Sequence, residues 1–292
     1  MPIQNDYKEF KVKQEAFFST PMSKVWRHQE QRYMKPFQMF GNLYYVGETW
    51  VCMHLVDTGD GLFLLDAGNY NTTGMLIHAI WDAGFNPADI KWVVLSHGHV
   101  DHIGNAIFLR NMFGCKLYIG EPDANMFKNN PALSFIHHNP NIEHELFDPD
   151  AVIRDGDVLQ FGNTEIQFFL VPGHTAGAIA CFFDVTDGQE TKRAGYYGGF
   201  GFNTLTKDYL QEIGDTDYAM RQVYLSSLEK VKDEHVDIFL GNHANNNNIV
   251  EKRQYQLQHP DTNPYIDPSE WRKYLEEKKN ALLALMQNPE NN

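Results

Sequence analysis

Apolar residues along this chain fall into short β-branched and aromatic runs that alternate with stretches of helical spacing. Runs at 43–46, 51–57 and 62–65 predict strands, and 72–83 predicts a helix. Residues 91–96, Lys-Trp-Val-Val-Leu-Ser, suit a strand covered on both faces, and 103–112 has the apolar spacing of a helix. A strand at 116–120 follows, then a loop-rich span from 121 to 149. Two more strands lead to His174, others run over 179–184 and 193–197, and a helix spans 216–231. Asp267-Pro268-Ser269 predicts an N-cap with proline in the first turn of an amphipathic helix reaching about residue 286. Strands and helices interleave with no repeat and no long linker, the α/β pattern of two sheets flanked by helices. Residues 1–36 read as an N-terminal extension able to pack near a cleft, and residues 37–292 as one domain.

One segment of this pattern carries chemistry. His97-Gly98-His99-Val100-Asp101-His102 packs four strong metal ligands into six residues where the strand at 91–96 turns into a helix. If the backbone stays extended through Gly98, His97 and His99 project to the same side, because side chains along a strand alternate with a period of two. Asp101 and His102 follow at the turn and point toward a neighbouring position, so the hexapeptide reads as one half of a two-metal hydrolytic centre. Imidazole with carboxylate favours zinc over calcium or magnesium, and iron, manganese or cobalt could also be held. A catalytic zinc takes about three protein ligands, so further ones must come from elsewhere. Two downstream segments offer them. Residues 168–174 run from an apolar strand through Pro172-Gly173 to His174, and residues 236–243 end in Gly241-Asn242-His243.

With these residues in order, the chain resembles the metallo-β-lactamase fold superfamily. The resemblance rests on the HxHxDH motif, Pro172-Gly173-His174-Thr175 with Gly177 close behind, and the final Gly-x-His, and it runs from about Phe37 to about Asn248. It implies a four-layer αββα sandwich. It also implies two zinc ions per chain, the first held by His97, His99 and His174, the second by Asp101, His102 and His243. Asp66, in Leu64-Leu65-Asp66-Ala67-Gly68, matches the family's early aspartate that buttresses the site. Most superfamily members carry an aspartate between the last two histidines that bridges both metals. The matching stretch, residues 194–202, contains no carboxylate. A site without that bridge, with histidine at the second zinc, is similar to the third subclass (B3) of metallo-β-lactamases, as is Phe40-Gly41-Asn42-Leu43-Tyr44-Tyr45-Val46-Gly47. The substrate shell departs from that subclass at Gly198 to Phe202 and at Asn245 to Asn248. Tyr197, Phe200 and Phe202, with Tyr196, are candidates for an apolar floor beside the second zinc, and Asn245 for an amide presented to substrate. In the implied chemistry two metals acidify a shared water that attacks a carbonyl, and Asp101 orients that water and relays a proton to the leaving group.

Charge and cysteine usage narrow the partners. Lys and Arg total 24 against 38 Asp and Glu, a formal charge of −14, which disfavours nucleic acid and leaves a small-molecule substrate. The expectation is a cytoplasmic enzyme without membrane association. The first residues lack a basic region followed by an apolar run, and no apolar stretch approaches the roughly 18 residues of a membrane span. Cys52, Cys115 and Cys181 are far apart and read as free core thiols. His28, His54, His78, His235 and His259 lack ligand spacing and are assigned structural or surface roles, and His137, His138 and His144 are assigned to a solvated loop. The terminal helix is expected to pack on the domain, its Leu282, Leu283 and Leu285 also suiting a homo-oligomer. Three functions follow: a di-zinc hydrolase opening a cyclic amide in the manner of a β-lactamase, a hydrolase of lactones, esters or thioesters on the same site, and a non-catalytic metal-binding protein.

Overall fold

The computed structural model describes residues 8, 9, 11, 12, 15, 28–135 and 146–291. Two sheets face each other. The first runs β1(Phe37–Phe40), β2(Leu43–Tyr45), β3(His54–Asp57), β4(Leu62–Leu65), β5(Ile90–Leu95), β6(Lys116–Gly120) and β7(Ala151–Ile153) in that order. It is antiparallel up to β4 and parallel from β4 to β7. The second is β12(Ile238–Leu240), β11(Thr191–Tyr197), β10(Ile179–Thr186), β9(Thr164–Leu170) and β8(Val158–Phe161), antiparallel except for the parallel β11–β12 pair.

Alternation along the strands builds three apolar layers. Phe63, Leu65 and Val94 from the first sheet meet Phe168, Cys181, Phe183 and Tyr196 from the second in the inter-sheet core. The neighbouring positions Leu64, Val93 and Leu95 point outward, under α1(Thr73–Asp82), α3(Ala106–Phe113) and α4(Glu121–Asn129). On the opposite outer face Ala180, Phe182 and Phe239 lie under α6(Ala219–Val231) and α8(Glu270–Gln287). Helices on both outer faces and a sandwich between them make the expected four layers. The three cysteines are free and buried, and among the described residues no helix is long and apolar enough to cross a membrane.

Several elements differ from the sequence reading. The span from 121 to 149 is not uniformly loop: α4 and a 3-10 turn at Pro131–Ser134 occupy its first half. Three strands rather than two lie between it and His174, and α5(Lys207–Glu212) and α7(Ile249–Gln258) are additional helices. The motif helix is two pieces, α2(Val100–Ile103) and α3, because Asn105 between them is tied elsewhere. Its Nδ2 donates to the carbonyls of Ala67 and Asn69, and its Oδ1 accepts from Thr73 Oγ1. The terminal helix starts at Glu270 with Ser269 as N-cap, so Pro268 precedes the helix. Leu282 is fully buried against the second sheet and Leu285 packs beside it, as expected for a helix docked on its own domain.

Candidate metal centre

The carboxyl ends of β5, β9 and β12 open onto one edge of the sandwich, where open sheets place their ligand sites. The chain leaves β5 into His97, β9 into the Pro172-Gly173 turn before His174, and β12 into Gly241-Asn242-His243. His99 stays extended (φ −80°, ψ 147°) as N-cap of α2, so that His97 and His99 converge while Asp101 and His102 point from the first helical turn. The six predicted ligands therefore meet, as two triads. His97, His99 and His174 form one, Asp101, His102 and His243 the other, and within each the available ligand atoms lie within 4.8 Å of one another. The two groups adjoin, with the His97 and His102 rings 4.2 Å apart.

Four of the five imidazoles are fixed through a second atom. His97 Nδ1 shares a 2.9 Å bond with Ser96 Oγ, His174 Nδ1 donates to the Gly201 carbonyl at 2.8 Å, and His243 Nδ1 donates to the Trp50 carbonyl at 3.2 Å. His102 Nδ1 donates to Asp66 Oδ2 at 2.7 Å. Asp66 is thus placed as the resemblance implied. Its carboxylate also accepts from Ser96 N (2.7 Å), Ser96 Oγ (2.9 Å) and Tyr196 OH (2.5 Å). Those bonds hold it at φ +64°, a left-handed conformation that costs a residue with a side chain of the order of 1 kcal/mol and recurs at functional sites.

The donor set fits zinc. Burial drives His97 well below the ordinary histidine range, with neighbouring imidazoles adding to the effect, and pushes His174 and His243 down to about 4, so these rings are neutral ligands at pH 7. His102 goes the other way: burial pulls it down, but Asp101 and Asp66 outweigh burial and raise it. Asp101 is lowered by His102 and His243 against the opposing effect of burial and stays ionised. Nitrogens also crowd one another, His97 Nε2 against His99 Nδ1 at 3.1 Å and His102 Nε2 against His243 Nε2 at 3.2 Å. A cation between such lone pairs relieves that crowding, and its binding competes with protons for the same nitrogens.

Two glycines of the stretch without a carboxylate are held as glycine by their neighbours. A Cβ at Gly198 would lie 2.7 Å from the Ser96 Cβ, and one at Gly199 2.7 Å from the His174 ring, with Gly199 itself at φ +84°. No side chain fits at either position.

The expected substrate residues do not gather at the site. Tyr197 and Phe200 stack on each other (4.4 Å) in the core under α8, beside Trp271 and Tyr274, because Tyr197 occupies the outward-facing register of β11 while Tyr196 faces inward. Phe202 is half-buried at the edge of the same cluster, against Tyr224, and Asn245 is an exposed turn residue. His54 is a buried structural histidine bonded to the Gly241 carbonyl at 3.0 Å, whereas His137, His138 and His144 lie outside the described residues.

Sequence reasoning missed Asp123. This fully buried residue of α4 accepts three bonds of 2.7 Å, from Gly98 N and Thr175 Oγ1 on Oδ2 and from Gly177 N on Oδ1. It ties the hexapeptide loop to the His174 loop. Burial raises its carboxyl to about 6 while the three donors pull the other way. Its only trace in the sequence is an acid in the first turn of a helix, which is ordinary N-terminal charge bias. Trp50 was missed as well, since its contribution is a backbone carbonyl.

Comparison with known proteins agrees with this geometry. The model of the metallo-beta-lactamase superfamily matches residues 52–187, which hold Asp66, the whole hexapeptide and His174. Over that segment, a little under half of the chain, the sequence is similar to the metallo-β-lactamase superfamily. Among solved structures this metallo-β-lactamase-fold chain is similar to BJP-1, a subclass B3 metallo-β-lactamase of Bradyrhizobium japonicum, with 25% identity and a TM-score of 0.75 over 88% of this chain and 97% of that one. It is also similar to native FEZ-1 metallo-β-lactamase from Legionella gormanii, with 26% identity and a TM-score of 0.76 over 89% and 98% of the two chains. By sequence it is 29% identical over 130 residues to hydroxyacylglutathione hydrolase GloC of Haemophilus influenzae, covering 44% of this chain and 58% of that enzyme.

Proposed function

We propose that this metallohydrolase binds two zinc ions, one per triad, and opens a cyclic amide by β-lactamase-like hydrolysis. The observation that carries the reading is the pair of adjoining triads, each complete with three ligands and without a bridging carboxylate. Zinc, when bound, supplies a Lewis acid and a water acidified to near neutral pH. The chain's residues do the rest. His97, His99 and His174 present neutral nitrogens on one side. On the other, Asp66 fixes the His102 ring through Nδ1 and the Trp50 carbonyl fixes that of His243. Asp101, ionised and partly exposed, is placed to orient the attacking water and to pass a proton to the departing nitrogen. The division into an extension at 1–36 and a hydrolase domain at 37–292 belongs to the same proposal.

The likeness to subclass B3 structures supports the cyclic amide. The hydroxyacylglutathione hydrolase relative supports a second reading, hydrolysis of an ester, lactone or thioester on the same site. A chromogenic cephalosporin assayed beside lactone and thioester panels separates them, with elemental analysis of the same samples. The expected result is two zinc per chain, one in His243→Ala, and activity lost with the metal. Full activity in zinc-stripped protein overturns the proposal.

A further inference from the structure

Beside the first triad lies a cavity of about 270 Å³ that the site as described leaves without a role. One wall is a face of α4, with Pro122, Asn125, Met126 and Asn129 at helical spacing; another is Tyr209 of α5, Ile213 just after it and Met220 at the start of α6. The floor is the Gly173–Ala176 turn, so His174 is part of the cavity as well as of the triad. Phe135 closes the gap between the two, its ring 4.6 Å from His99 and 6.0 Å from Tyr209. Cavity and metal centre therefore share walls.

The character of the lining is unusual for this protein. Although 21% of the chain is charged, no Lys, Arg, Asp or Glu lines the cavity among the described residues. The lining is Met, Leu, Ile, Pro, Ala and Gly together with three asparagines, two threonines, a tyrosine and His174. An ion entering would lose its hydration with no charged side chain in the lining to replace it, whereas an apolar group is rewarded by burial.

From this we propose that the substrate carries an uncharged apolar arm that lodges in this cavity, against His174, while its scissile bond lies at the metals. The inference rests on the hydrolase reading above and names the substrate's class. The space is that of a short arm rather than of a whole drug-sized ligand. An arm ending in a carboxylate, or a peptide-like arm with several charges, is disfavoured.

The test uses two homologous series of zinc-loaded enzyme substrates, carboxylic esters lengthened on the acyl side and on the alcohol side. Full burial of a methylene is equivalent to about fourfold at 25 °C, so kcat/KM should climb by up to about fourfold per carbon in one series and level off once the arm fills the cavity. An arm of the same length ending in a carboxylate should be slower by about tenfold or more. Ile213→Trp, at the partly exposed rim, should flatten the climb, and Val158→Ala, on the distant exposed strand β8, should leave it intact. A climb below about 1.5-fold per carbon in both series, or preference for the charged arm, overturns the proposal.

Titration calorimetry of heptanamide, a short neutral ligand with an apolar chain, into zinc-free protein gives a readout independent of turnover. Saturable binding weakened by Ile213→Trp supports the cavity, and no binding overturns it. Should the enzyme hydrolyse neither lactams nor any short ester, the hydrolase reading fails, and the heptanamide titration still decides the cavity.

Discussion

Replacing Asp123 by asparagine tests how the first triad is assembled. The substitution preserves shape and exchanges one accepting oxygen for an NH2 group. All three neighbours are donors to the carboxylate: Gly98 N, Thr175 Oγ1 and Gly177 N, each at 2.7 Å. The best placement turns the NH2 toward Gly177, leaving one buried N–H facing another donor at a cost of about 1–3 kcal/mol. A second effect opposes it. The Asp123 carboxyl titrates at about 6 against 3.8 for an unburied aspartate, so its ionisation works against folding by about 3 kcal/mol at neutral pH. Because this folded-state value is raised, the penalty is absent below pH 4 and grows as pH climbs to 6. The substitution removes it. Stability at pH 7 should then move by no more than about 2 kcal/mol in either direction, as the two effects offset each other.

Metal binding has no such compensation. The carboxylate is the tie between the loop that carries His97 and His99 and the loop that carries His174, and outer partners of this kind are commonly worth about 10–100-fold in metal affinity. Asp123→Asn should therefore weaken one of the two proposed zinc ions by that factor and leave the other unchanged, measured by chelator competition alongside urea unfolding at pH 4 and pH 7. The wild type should gain stability relative to the variant on going from pH 7 to pH 4. Equal zinc affinity in both proteins, or a stability loss above about 4 kcal/mol, would refute the reasoning.

Two further outcomes follow from buried groups. His54, pushed down to about 4 by burial, is neutral in the folded protein, so its contribution is complete above pH 6.5 and is lost as pH falls toward 4. Zinc-free His54→Gln, which can still donate to the Gly241 carbonyl, should show an acid slope shallower than wild type by about 1.4 kcal/mol per pH unit across that window; identical slopes in urea unfolding contradict this. Trp271 anchors α8 on the second sheet, buried against Phe182 and Phe239 with its Nε1 donating to the Val231 carbonyl at 2.9 Å. Trp271→Ala should cost about 3–5 kcal/mol in chemical unfolding, and a change under about 1 kcal/mol would mean that α8 is not docked as described.

What could be read in the chain beforehand was whatever is local. The hexapeptide joins four ligands whose directions follow from an extended residue pair and a first helical turn, and strand alternation placed His174 and His243 at ends of apolar runs; the fold brought all six together. Tyr197 and Phe200 were misplaced for an equally local reason. Proximity in sequence to the metal strands says nothing about which face of β11 a ring occupies, and one residue of register separates Tyr196, bonded to Asp66, from Tyr197, packed under α8.

Asp123 marks where local reading ends. Its partners lie 25, 52 and 54 residues away, and two of the three are backbone amides, which have no identity in a sequence. The same holds for the Trp50 carbonyl behind His243 and for Gly198 and Gly199, whose missing side chains are explained only by the proximity of Ser96 and His174. The ligands of such a site are written as residue types, while the geometry that makes them ligands depends on backbone atoms and empty space supplied by distant segments. A substitution at Asp123 therefore measures something that conservative replacement of a histidine cannot: how much of the metal affinity resides in the relative placement of two loops whose own ligands are left unchanged.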